Sequence, residues 1–208
     1  MTVIVAAGLF PHSERALQCL READFIACCD GAANACVDAG FVPDVIVGDG
    51  DSIRPEVVAA FASSIVRIPE QETNDLTKTF RHCLALGHRQ FTILGATGLR
   101  EDHALANLAL LMDYADELRA HGADSASLTL VSDYGTFRPC LDSVTLHGVM
   151  GREVSIFNFG ASQFSATGLQ YPLYDFDRLW QGTLNVATAS TVTIAARGAF
   201  LVYVAEPD

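Results

Sequence analysis

Along the first 132 residues, runs of apolar positions without polar alternation lead into loops of glycine and polar residues, then into stretches whose apolar positions recur at helical spacing. Residues 2–6, 24–29, 43–48, 64–68, 91–94 and 127–132 read as strands buried on both faces. Between them Ser13 caps a helix running to about residue 22, and a short helix follows Asp30-Gly31 and stops at Gly40. Pro55 opens a helix over about 55–62, and Thr73 or Asn74 caps one that ends near Gly87. The longest helix covers about 102–120, with Leu105, Leu108, Leu111 and Met112 at helical spacing and Gly122 past its end. Strand and helix alternating in this way build a mostly parallel α/β/α sheet domain, residues 1–133.

Past Asp133 the period changes. Short runs near 142–147, 152–157, 162–167, 169–174, 181–187, 190–196 and 199–204 follow one another, divided by glycines and with almost no helical pattern. This predicts a C-terminal antiparallel β-sandwich domain, residues 134–208, entered through a connection at 134–141.

Half of the 208 residues are hydrophobic, enough for one large core or two small ones. The net charge is −12 and the 13 basic residues form no run, which argues against a nucleic-acid surface. An anionic substrate would have to be held through metal ions and a few chosen cations. The first residues lack a basic segment and no apolar stretch reaches membrane-spanning length, so a cytoplasmic protein without a membrane partner is expected. The six cysteines include no C-x-x-C pair and read as small core residues.

In an open parallel sheet, ligands bind beyond the carboxyl ends of the strands. The polar clusters of this chain stand there: Asp30 after the second strand, Asp49 and Asp51 after the third, Gln71 and Asp75 after the fourth, Gly95 to Asp102 after the fifth. Residues two apart in extended backbone project to one side, so Asp49 and Asp51, with Asp75, can supply oxygen ligands to Mg²⁺. Lys78, one helical turn beyond Asp75, and Arg100, ahead of a helix N-terminus, suit phosphate oxygens. Gly95 and Gly98 expose backbone N–H groups as a phosphate-cradling loop does. Asp102 is either a first-turn acid or part of the chemistry; His103 is either a packed histidine or a ligand contact; Asn107 either bonds locally or faces the site. The two commonest nucleotide-binding glycine patterns are both missing.

At these residues the chain resembles the thiamine pyrophosphokinase family. The resemblance lies in Asp30-Gly31-Ala32-Ala33-Asn34, in Pro43 to Ser52, more loosely in Gln71 to Lys78, and in Gly95 to Asn107. It implies an α/β catalytic domain followed by a β-sandwich, in a homodimer with its active site where subunits meet. It further implies transfer of pyrophosphate from ATP to the hydroxyl of thiamine, giving thiamine diphosphate and AMP. On that resemblance Asp49, Asp51, Asp75, Arg100 and Asp102 are the catalytic set, with Mg²⁺ on the first three. Asp30, Asn34, Ser52, Gln71, Lys78, Gly95, Gly98, Arg100, His103 and Asn107 would contact ATP. Tyr171, Trp180, Thr183, Asn185 and Thr188 would face thiamine. Ala187-Thr188 stands where the family usually has Ser-Asn, so weaker thiamine binding is expected. The competing readings are phosphoryl or pyrophosphoryl transfer to another alcohol and a nucleotide-binding sensor without turnover.

Overall fold

A computed structural model describes residues 1–207. They divide into two compact units, one of residues 1–110 with 130–133, the other of residues 111–129 with the chain from 134 onward.

In the first unit the central strand β1 (Thr2–Val5) pairs in parallel with β2 (Phe25–Cys29) on one side and β5 (Phe91–Leu94) on the other. β3 (Val45–Gly48) lies beside β2 and β4 (Ile65–Arg67) beside β3, again parallel, and β6 (Leu128–Val131) lies beyond β5. The apolar runs are buried as expected of a sheet covered by helices: Val3, Ile4, Val5, Ile46, Val47, Ile93 and Leu94 are all fully enclosed.

The helices begin where their capping residues dictate. Ser13 Oγ accepts the Ala16 N–H at 3.3 Å ahead of α1 (Glu14–Arg21). α2 (Ala32–Asp38) follows Gly31, and α3 (Pro55–Phe61) starts on proline, which lacks the N–H that a first helical turn leaves orphaned. Asn74 Oδ1 accepts the Thr77 N–H at 2.9 Å and opens α4 (Asp75–Ala85), which packs on β1, β2 and β3. α5 (Glu101–Ala120) carries Glu101 and Asp102 in its first turn, where the helix dipole favours acids.

The second unit contains β7 (Gly135–Cys140), β8 (Ser143–His147), β9 (Glu153–Asn158), β10 (Ser162–Thr167), β11 (Asn185–Val186), β12 (Thr191–Arg197) and β13 (Phe200–Ala205). β11, β9, β13 and β7 pair side by side in antiparallel fashion, and β10, β12 and β8 form a separate three-stranded antiparallel sheet. One core takes side chains from both, including Val154, Ile156, Phe200 and Val202 from the first and Leu146, Phe164, Val192 and Ile194 from the second. That shared core makes the unit a sandwich.

Three expectations for this unit need correction. Residues 134–141 are not a connection, because Gly135–Cys140 pairs with β13 along its whole length. Its strand character is masked by Gly135, Arg138 and Pro139, and glycine is needed at 135 because a Cβ there would come within 2.5 Å of the Tyr203 ring. The strands expected at 169–174 and 181–187 shrink to β11 and an isolated Leu169–Ala187 bridge. Asn185 replaces the missing ladder: its Oδ1 accepts the Tyr171 N–H at 3.0 Å and its Nδ2 donates to the Tyr171 carbonyl at 2.9 Å.

Phe200 is fully enclosed and meets Phe164 edge to face, ring centroids 5.5 Å apart. Phe200→Ala is expected to remove about 3–5 kcal/mol from the stability of this unit. The midpoint of urea unfolding followed by circular dichroism measures it, and an unchanged midpoint would refute the placement of Phe200 at the centre of the sandwich.

Candidate active site

The loop that follows β3 is organised by a residue on another strand. Asp30, at the end of β2, adopts a left-handed backbone (φ 40°) and is 3% exposed. From there its Oδ1 accepts the Gly50 N–H at 2.8 Å and its Oδ2 the Ser52 N–H at 3.1 Å. Gly48 makes this approach possible, since a Cβ at 48 would lie 2.5 Å from the Asp30 Cβ. Asn34 completes the brace: its Nδ2 donates to the Ser52 carbonyl at 2.9 Å and its Oδ1 accepts the Arg54 N–H at 3.0 Å.

The braced loop gathers carboxylates. Oxygens of Asp30, Asp49 and Asp51 lie within 4.8 Å of one another. Asp49 Oδ1 accepts the Asp51 N–H at 3.2 Å and its Oδ2 a bond from Gln71 Nε2 at 3.3 Å; the first and then the second hold its carboxyl below the usual range, so it is ionised at neutral pH. Ser52 Oγ donates to Asp51 Oδ1 at 2.8 Å. Such a set of hard oxygen donors, each oxygen keeping a lone pair beyond its N–H contact, fits a small divalent cation. Asp75 stands outside the set. It pairs instead with Lys78, Nζ to Oδ1 3.0 Å, and the Lys78 side chain is only 3% exposed.

Beside the carboxylates opens a cavity of about 400 Å³. Asp49, Gln71, Asn74, Asp75, Lys78, Arg100, His103 and Asn107 line it, together with Ala6 to Gly8, Cys29, Ala96 and Thr97. Its floor is built by loop-to-loop contact: Gly8 N–H donates to the Gly95 carbonyl at 2.6 Å and Leu9 N–H to the Thr97 carbonyl at 2.8 Å. A Cβ at Gly8 would lie 2.5 Å from the Gly95 oxygen, and Gly95 and Gly98 both have positive φ, so the loops after β1 and β5 close only with glycine there. Asn107 Nδ2 holds the Ala96 carbonyl at 2.9 Å, while its Oδ1 accepts from Asn74 Nδ2 at 3.3 Å. Arg100 grips Asp102 with two bonds, Nε to Oδ1 3.1 Å and Nη2 to Oδ2 2.6 Å, and the guanidinium lowers that carboxyl to about 2. Both side chains are mostly exposed, so the pair exchanges readily for a stronger anion. The Cys29 thiol on the cavity wall is pushed up to about 12 by burial and stays protonated.

The second unit brings part of the remaining set together. Tyr171, Thr183 and Asn185 line a hollow of about 150 Å³ with Tyr174 and Phe176. Trp180 and Thr188 lie outside that wall, Trp180 at 73% exposure. Ala187 is 1% exposed and belongs to the sandwich core. A hydroxyl at that position would be enclosed by apolar side chains, so the comparison of Ala187-Thr188 with Ser-Asn concerns packing at 187.

The thiamin pyrophosphokinase catalytic-domain model matches residues 16–121, and the substrate-binding-domain model of the same enzymes matches 135–203. The chain belongs to the thiamin pyrophosphokinase family. It is thereby a kinase-type transferase. Thiamine pyrophosphokinase 2 of Oryza sativa subsp. japonica is 27% identical over 197 residues, covering 80% of this chain and 72% of the relative. The fold matches that of thiamine pyrophosphokinase from Bacillus subtilis with a TM-score of 0.80 at 20% identity, over 100% of both chains. The Candida albicans enzyme gives 0.82 at 16%, over 99% of this chain and 90% of that one.

Sequence reasoning passed over Arg67, whose Nη1 donates to the Asp49 carbonyl at 2.7 Å, and Cys29 on the cavity wall. A lone arginine at a strand end and a cysteine inside an apolar run carry no signal of their own. It also treated Asp30 as a substrate contact, whereas both of its oxygens bind the 50–52 backbone. Asp30→Asn places an amide N–H against one of those donors and is expected to cost about 1–3 kcal/mol. The same change should weaken Mn²⁺ binding, read by electron paramagnetic resonance. Parental values for both unfolding midpoint and metal affinity would remove Asp30 from this role.

Proposed function

We propose that this chain is a Mg²⁺-dependent thiamine diphosphokinase that transfers the pyrophosphoryl group of ATP to the primary hydroxyl of thiamine, releasing AMP. The observation that carries this reading is the coincidence of a catalytic and a substrate-binding family match, in order, with a three-carboxylate loop beside a cavity that holds an enclosed lysine. Asp30, Asp49 and Asp51 would hold the cation, with Asp75 close to the substrate end through Lys78. Bound Mg²⁺ supplies charge neutralisation of the polyphosphate. Lys78 offers its ammonium to phosphate oxygens from a position fixed by burial and by Asp75, so little conformational freedom is lost on binding. Arg100 leaves Asp102 for the polyphosphate and spreads its planar fork over two oxygens. Asn107 fixes the 95–98 loop through the Ala96 carbonyl, and Gln71 orients Asp49. With every donor in place beforehand, positioning and electrostatics supply most of the rate.

In this reading Tyr171, Thr183 and Asn185 form part of the thiamine side, and Trp180 and Thr188 reach it from the surface. Tyr171, Tyr174, Trp180 and Leu184 are each more than half exposed, an apolar surface suited to a second subunit, which supports a homodimer. Among the described residues no helix is long and apolar enough to cross a membrane, and a cytoplasmic enzyme accords with that.

Incubation with ATP, Mg²⁺ and thiamine is expected to give thiamine diphosphate and AMP in equal amounts by mass spectrometry, with chelation of the metal abolishing both. Release of AMP at the same rate without thiamine would point to another acceptor. Asp51→Asn is expected to lower kcat at least about a hundredfold with the fold retained, and wild-type turnover of that variant at saturating Mg²⁺ would sink the metal assignment.

A further inference from the structure

Gly50, between the paired aspartates, has φ +84°, and a Cβ there would collide with Arg67 Nη1 and come within 2.8 Å of Cζ. Only glycine leaves room for the guanidinium to lie against this loop. Arg67 thus reaches over from the end of β4 and anchors one nitrogen on the Asp49 carbonyl at 2.7 Å. Among the described residues no carboxylate lies within ion-pair distance of it, although three converge next door. The bond to Asp49 is its only hydrogen bond among those residues, so most of its five donors stay open to an incoming group. Those donors lie against the loop that gathers the carboxylates, beside Gly50.

We propose that Arg67 is a phosphate-contacting residue of the metal–polyphosphate site, admitted there by Gly50. This role rests on the proposed function, in which a polyphosphate bound at the carboxylate loop extends beyond the cavity that Asp49 lines. A cation held by the carboxylate loop brings phosphate oxygens to the edge of that loop, where an unpaired planar fork meets them with charge-assisted bonds. Its single anchoring bond goes to a backbone carbonyl, so the guanidinium keeps its full charge for the ligand. The site would recognise the chemical class of metal-bound di- and triphosphates whatever group they carry.

Magnesium tripolyphosphate, which carries neither nucleoside nor vitamin, is the probe, and its binding to wild type, Arg67→Ala and Arg67→Lys is read by titration calorimetry. Arg67→Ala is expected to bind about tenfold more weakly, the scale of one charge-assisted hydrogen bond, and Arg67→Lys to regain part of the loss. Binding of Mn²⁺ alone should change by less than about twofold. Equal tripolyphosphate affinity in wild type and Arg67→Ala overturns the proposal, as does absence of binding to wild type. An equal loss in Mn²⁺ binding would also overturn it, by making Arg67 a brace for the carboxylates. Failure of the wild type to form thiamine diphosphate while these affinities hold would refute the acceptor assignment and leave Arg67 in place.

Discussion

The buried carboxylate of Asp30 is the constraint on which the catalytic side depends. Two acids separated by one glycine repel each other, and the tight loop that holds them needs partners for the backbone N–H groups of Gly50 and Ser52. Asp30 supplies those partners by accepting from Gly50 and Ser52, and thereby fixes the spacing of the two acids against their repulsion. Its left-handed backbone is the conformational cost of turning a strand-end side chain across to the neighbouring strand. Gly48 has no side chain because that crossing needs the space.

The parallel half of the fold was legible because burial on both faces leaves uninterrupted apolar runs, and helix starts carry their own chemistry in Ser13, Asn74 and Pro55. The C-terminal half was less legible, for specific reasons. Gly135, Arg138 and Pro139 break the alternation of a strand that pairs fully, because its backbone matters more to β13 than its side chains do. Conversely, residues 169–174 alternate like a strand and are not one, since Asn185 takes over the Tyr171 N–H and carbonyl that a neighbouring strand would have used.

At the site, residue types were readable and pairings were not. Spacing along one strand end identified Asp49 and Asp51, but the third member of their group arrives from β2 and could only be recognised once the strands were side by side. Asp75 stands at the head of α4, one turn from Lys78, and the enclosed ammonium of Lys78 takes it as its partner, a pairing that spacing alone does not reveal. Arg100 and Asp102, two positions apart, neutralise each other when nothing stronger is present.

The pin formed by Asn185 and Tyr171 has a consequence for how this lineage can vary. One side-chain amide ties the two ends of the intervening segment together, and the bond ignores the number of residues between them. Closing a longer loop costs only slightly more entropy, about 0.6 kcal/mol per doubling. Insertions and deletions among the exposed residues 177–180 can therefore accumulate, whereas Phe176 in the sandwich core and Gly182, whose carbonyl accepts the Ile156 N–H at 2.8 Å, stay fixed beside β9. That exposed stretch is free to change length, while the carboxylate loop, locked by Asp30 and Asn34 at fixed positions, admits no such drift.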